Sequence, residues 1–278
     1  MNDFNLNPHR FTQIPQLGQV CRLGLATRGN TSLSAEAVET AIDRGVNYLN
    51  WCGHPDGMQD CIRGLGPQRD KVHIAVQLHA RSADAARREL DQFLTDLNTD
   101  YIDIVTYYYV EHPDEWQQII APGGAAEAIE QAQAQGQVKS IGLTSHQRPL
   151  AATVAASGRV NLLMIRYNAA HRGAETDIFP TTTQHQIPVV AFTCLRWGAL
   201  LRNTTADPPN FQPPLAADWY RFVLCQPAVA VVLMAPNGAT ELAADLTILD
   251  EWQGLSADTF ASIIDHGERV HRQAGSFP

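Results

Sequence analysis

No run of this sequence stays apolar for the roughly 20 residues that a helix needs to cross a bilayer, because each candidate is broken by polar residues or proline. Basic runs are missing as well. Against 29 Asp and Glu stand 20 Lys and Arg, giving a formal charge of −9 and a pI near 5.5. That balance excludes the electrostatic footprint of a nucleic-acid or anionic-membrane binder and favours a small-molecule partner. The five cysteines are odd in number and form no C-x-x-C pair, which suits reduced thiols rather than a disulfide framework. Cys52 and Cys194 differ from the others in lying at the ends of predicted strands. His54, His79, His112, His146 and His171 show no H-x-x-x-H or Cys/His ligand spacing, so no catalytic metal is expected. Met1 to Arg10 include Asp3 and lack the apolar core of about 7–15 residues that marks a secretory leader, so a cytoplasmic protein is expected.

What is present is a repeating pattern. Short β-rich runs alternate with helical periodicity about eight times, the sequence form of a parallel α/β fold, and eight units in 278 residues predict one closed (β/α)8 TIM barrel spanning 1–278. The strands are expected at 20–25, 48–51, 72–78, 102–109, 138–143, 162–167, 189–193 and 228–234, after an irregular start. Ser34 reads as a helix N-cap, with Val38, Ala41 and Ile42 on one face and Gly45 at the end. From Ser82, the residues Ala86, Leu90, Phe93, Leu94 and Leu97 form one apolar stripe. A third helix runs over 125–135 to Gly136, and another lies in the tail from Ser256. The segment 202–217 carries Pro208, Pro209, Pro213 and Pro214 without periodicity and is expected to be an irregular loop over the barrel mouth.

Three segments carry a family resemblance: Asp43-Arg44-Gly45-Val46-Asn47-Tyr48 at the second strand, Thr99-Asp100-Tyr101-Ile102-Asp103 before the fourth, and Gly136 to Ser145 around the fifth. With a weaker match at Leu233 to Leu246, the chain resembles the aldo-keto reductases from about residue 20 to 250. The resemblance implies a Tyr general acid assisted by Lys, Asp and His, and hydride delivery by NADPH. The four corresponding positions differ here. Asn50 stands for the Asp, Pro55 for the Tyr with His54 beside it, Gln77 for the Lys and Tyr108 for the His. An amide cannot lower a neighbouring phenol's pKa by charge, yet Asn50, Gln77 and Tyr108 keep the mouth polar.

For the cofactor, the resemblance implies that Thr144 and Ser145 partly replace a Ser/Asn pair at the nicotinamide carboxamide and that Met164 replaces a Gln. Phe192 keeps the aromatic platform, with Leu195 just beyond it. At the adenosine phosphates, the segment with Pro236, Asn237, Gly238 and Glu241 has no basic residue, so NAD(H) is at least as suitable as NADP(H). Arg166, on the sixth strand, needs an anionic partner, either Glu175 or Asp103 or the carboxylate or phosphate of a substrate. Strand alternation places Tyr107 and Tyr109 opposite to Tyr108. Three functions remain open: an atypical nicotinamide oxidoreductase of a small carbonyl or alcohol, a cofactor-independent lyase, isomerase or hydrolase, and a non-catalytic small-molecule-binding protein. The sequence does not specify an oligomeric state.

Overall fold

Parallel strands need long crossovers, and this chain supplies a helix in nearly every one. In the computed structural model, which describes residues 9–27 and 32–273, a two-stranded antiparallel hairpin precedes a closed barrel. The hairpin is β1 (Phe11–Ile14) and β2 (Gly18–Cys21), paired from Phe11↔Cys21 to Ile14↔Gly18. The barrel strands are β3 (Leu23–Ala26), β4 (Tyr48–Asn50), β5 (His73–Leu78), β6 (Ile102–Tyr107), β7 (Val138–Ser145), β8 (Leu162–Arg166), β9 (Val189–Phe192) and β10 (Val229–Met234). All neighbours are parallel, and β10 closes onto β3. The expected (β/α)8 barrel is therefore the observed fold. Met1 to Pro8, the greater part of the segment read for a leader, lie outside the described residues.

The strand expected at 20–25 is in fact two elements. Val20 and Cys21 belong to the hairpin, and the chain breaks at Arg22, whose N–H donates to Arg10 at 2.8 Å and whose guanidinium donates to the Val229 carbonyl at 2.7 Å. A continuous apolar run hides such a break, because both halves share the same pattern. The hairpin closes the N-terminal end of the barrel. Ile14 and Val20 pack with the inward residues Tyr48, Ala75, Ile104, Met164, Val190 and Val231 as one cluster.

The outward strand residues form the larger core with the helices. Ser34 accepts from the Ala37 N–H at 3.2 Å and caps the helix Ala35–Asp43. The predicted stripe after Ser82 lies on Ala83–Leu97, which buries Ala86, Leu90, Phe93 and Leu97 and ends at Asn98 in a left-handed conformation. The segment 202–215 is irregular apart from isolated turns, and Ala216 and Ala217 already begin the helix Ala216–Cys225. Asp207 in that segment binds His266 and Arg269 of the C-terminal helix Ala257–Gln273, at 2.9 and 2.6 Å.

Candidate active site

Alternation along each strand decides which side chains enter the barrel. Asn50, Gln77, Thr106, Thr144, Arg166 and Phe192 share the inward parity of Tyr48, Ala75, Ile104, Met164 and Val190 and occupy the C-terminal layer, where barrels of this type carry their chemistry. Their registers connect them: Asn50 pairs with Ala75, Gln77 with Thr106, Thr144 with Met164, and Arg166 with Phe192.

Asn50 is 1% exposed. Its Nδ2 donates to the Cys52 Sγ at 3.4 Å, while Oδ1 is buried without a hydrogen bond among the described residues. A buried acceptor left in this state costs about 1–3 kcal/mol, which makes it a candidate contact for a bound group. Gln77 is half-buried, and beside it the Thr106 hydroxyl donates to Val76 O at 3.0 Å. His54 is exposed on the loop after β4, and its carbonyl accepts from the Trp51 indole at 2.8 Å. Pro55 is exposed next to it. Cys194 is fully enclosed, its thiol donating to Ala191 O at 3.4 Å and pushed far up by burial, so it is not a nucleophile.

The tyrosine triplet departs from simple alternation. Tyr107 points outward and packs edge-on against Trp116 at 6.1 Å. The strand then ends, and Tyr109 takes φ +46°, which returns its ring to the same side as Tyr108, stacked at 3.9 Å and 18°. His79 leans on Tyr108 at 4.8 Å, His146 on Tyr109 at 4.5 Å, and His146 meets Phe192 at 5.8 Å. An aromatic ribbon therefore crosses the mouth from β5 to β9. Left-handed backbone at a non-glycine residue is costly and concentrates at functional sites.

Both carboxylates proposed for Arg166 from the sequence are engaged by other groups. Glu175 is held by Arg172 at 2.8 Å and by the Tyr167 hydroxyl at 2.8 Å. Asp103 lies at the opposite end of the barrel, among Arg69 at 2.8 Å, Lys139 at 2.9 Å and the Ile74 N–H at 2.9 Å. Instead, Arg166 belongs to a cationic wall. Burial and then Arg196 lower its pKa, and burial followed by Arg166 and Arg196 pushes the His171 imidazole down to about 4.

Sequence reasoning did not single out the pairing of His146 with Glu111. The Glu111 Oε1 accepts the His146 N–H at 2.9 Å and lies 3.3 Å from Nδ1. One signal could have revealed it. Glu111 follows β6 closely, His146 follows β7 directly, and neighbouring parallel strands bring their C-terminal ends together.

At the other candidate positions, Thr144 is buried with Oγ1 unbonded among the described residues, whereas the Ser145 Oγ is engaged by the Gln147 N–H at 3.0 Å. Met164 is buried, and Phe192 and Leu195 are half-buried. The turn after β9 carries Thr193, Arg196 and Trp197 at φ 56°, 50° and 51°. Asn168 fastens that turn through Nδ2, which donates to Thr193 O at 2.8 Å. After β10, Pro236 is buried and Gly238 has φ +88°, a backbone that favours glycine, at the N-terminus of the helix Ala239–Leu246. There the Glu241 carboxylate accepts the Asn237 N–H at 2.8 Å. The layout thus gathers Asn50, Gln77, Tyr108, Thr144, Arg166 and Phe192 at one mouth, with His54 exposed on the loop after β4.

Among solved structures, the chain resembles an aldo/keto reductase from Klebsiella pneumoniae in complex with NADP and acetate, at TM-score 0.75 and 18% identity over 93% of this chain and 95% of that one. It also resembles the holo form of aldo-keto reductase AKR11C1 from Bacillus halodurans, at TM-score 0.72 and 17% identity over 95% and 99% of the two chains. At those identities the likeness establishes the fold. Among curated proteins, methylglyoxal reductase YeaE of Escherichia coli strain K12 is 25% identical over 181 residues, which cover 60% of this chain and 59% of that protein. The Aldo/keto reductase family profile matches residues 22–232, most of the barrel, and the chain belongs to that family.

Proposed function

We propose that the protein is a nicotinamide-dependent oxidoreductase acting on a small carbonyl compound or alcohol, with a proton-handling set different from the usual tetrad. The observation that carries this reading is the pairing of a half-buried Phe192 platform with the buried Thr144 hydroxyl, unbonded among the described residues, on the same inward face. A flat ring needs a stacking face and a carboxamide needs a hydrogen-bonding group, and both stand here.

Thr144 and Ser145 would hold the carboxamide, Phe192 and Leu195 the ring and its ribose, and Pro236, Asn237 and Gly238 the adenosine phosphates. Asn50, Gln77, Tyr108 and Arg166 would line the substrate side. When bound, a nicotinamide supplies or accepts hydride at the substrate carbon. The Glu241 carboxylate on the Asn237 N–H places negative charge at the helix start, which opposes a 2′-phosphate and favours NAD(H) over NADP(H).

Calorimetric titration with NADH, NAD+, NADPH and NADP+ tests the proposal. NADH is expected to bind more tightly than NADPH, and Phe192→Ala is expected to weaken binding about tenfold through loss of the stacked face. Absence of binding by all four forms at millimolar concentration would sink it.

A further inference from the structure

We infer that His146, oriented by Glu111, exchanges a proton with the substrate oxygen at the barrel mouth. The inference rests on the nicotinamide reading above and adds the group which that reading leaves unassigned.

Pro55 has no proton to give, His54 is exposed on the loop after β4, and the Cys194 thiol is sealed in the core. Tyr108 keeps a phenol, but Gln77 stands where a charged amine would activate it. His146 differs in position. It is the first residue after β7, its ring is 4.5 Å from Tyr109 and 5.8 Å from Phe192, and so it touches both the tyrosine pair and the platform for the nicotinamide.

Its orientation is fixed from one side. Glu111 Oε1 accepts the backbone N–H at 2.9 Å and sits 3.3 Å from Nδ1, and Oε2 is steadied by the Gln147 amide at 3.3 Å. The Glu111 carboxylate 3.3 Å from Nδ1 electrostatically favours a proton on that nitrogen, which leaves Nε2 as the edge that acts. The side chain remains 16% exposed, enough to meet a ligand and to exchange protons with solvent.

Four groups face the imidazole: Glu111, Arg166, Tyr109 and Phe192. Burial lowers its pKa, Glu111 raises it and Arg166 lowers it, with a net position below the ordinary histidine value. At neutral pH the ring is therefore chiefly a base, suited to removing the proton of an alcohol, and it becomes an acid as the pH falls.

In the reducing direction, the Nε2–H bond breaks and an O–H bond forms at the substrate oxygen. A bound reduced nicotinamide would supply the hydride to the carbonyl carbon and would be oxidised in doing so. The C=O π bond is lost, neutral imidazole remains, and solvent reprotonates it. Glu111 is a positioning residue in this scheme, whereas His146 touches the substrate.

The experiment compares wild type, His146→Gln and Glu111→Gln, with methylglyoxal and NADH as probes, alongside an NMR titration of the His146 ring. His146→Gln is expected to lower kcat about 10²–10⁴-fold while nicotinamide affinity stays within about threefold. Glu111→Gln is expected to move the His146 midpoint to lower pH and to shift the pH–rate limb with it, a change that loss of packing alone would not produce. Should His146→Gln fail to fold, the Glu111→Gln titration and pH profile decide. Wild-type kcat in a nicotinamide-binding His146→Gln, or an unmoved midpoint in Glu111→Gln, overturns this inference alone. A wild type that binds no nicotinamide overturns the proposed function and this inference with it.

Discussion

Asp245 shows how far a single side chain can be displaced from its solution chemistry. It is 3% exposed on Ala239–Leu246, and burial, reinforced by Glu241 and opposed by the Tyr220 hydroxyl at 3.3 Å, pushes its carboxyl up to about 7. Its unfolded value is about 3.9. Because the folded value is the higher one, the native state is penalised progressively as pH rises from about 4 to about 7. Asp245→Asn is expected to stabilise the protein at pH 8 by on the order of 2 kcal/mol and to change little at pH 4, part of the gain being offset by the new amide donors. Thermal unfolding at the two pH values checks this, and an equal effect at both would sink it. At the same scale, Asn50 and Gln77 were legible in the sequence because the family resemblance marks their positions at the ends of two strands. Tyr109 was not, since a φ of +46° two residues beyond the last barrel pairing reverses the parity, and nothing in the residue types announces it.

At the scale of elements, the irregular segment 202–215 is held to the C-terminal helix by a buried cluster. Asp207 receives the Thr204 N–H and contacts His266 at 2.9 Å and Arg269 at 2.6 Å, with Arg269 lying over Phe211 at 5.0 Å. Burial alone would raise the Asp207 carboxyl, but these three partners hold it well below the usual carboxylate range. A depressed value means stability that is present above pH of about 4 and lost as pH falls further. Asp207→Asn leaves Arg269 without its anion and is expected to cost about 3 kcal/mol, with faster amide exchange over 203–211. Unchanged exchange there would show that the segment is held by other contacts. Four prolines made this loop readable, but its anchoring was not, because the partners lie 59 and 62 residues away. The same limit explains the first barrel strand. Helix caps at Ser34 and Gly45 are local chemistry and were legible, whereas the hairpin β1–β2 is defined by which run pairs with which.

Across the whole molecule, eightfold alternation is enough to imply closure of the barrel, but the charge distribution emerges only after folding. The chain carries −9 overall, yet burial, Arg166, Arg196, His271 and Arg148 together press the His171 imidazole down to about 4. Those side chains are far apart in sequence and become neighbours only when the loops after β7, β8 and β9 meet the C-terminal helix. With a folded value below the unfolded value of about 6.5, His171 takes up its proton more readily in the unfolded chain, so stability falls as pH drops from about 6.5 to about 4. Asp207 acts below that window, which makes the two contributions separable. Between about pH 4 and 6.5 this contribution runs against that of Asp245, so His171→Gln is expected to make the urea midpoint fall more steeply as pH rises through that window and to leave the loss at lower pH in place. Under the proposed function, a bound dinucleotide adds negative charge near this cationic wall and favours the protonated imidazole. NADH should therefore raise the urea midpoint more at pH 5 than at pH 8 in the wild type, and equally at both in His171→Gln. A pH-independent gain in the wild type would show that the dinucleotide's charge lies too far from His171 to bias its protonation.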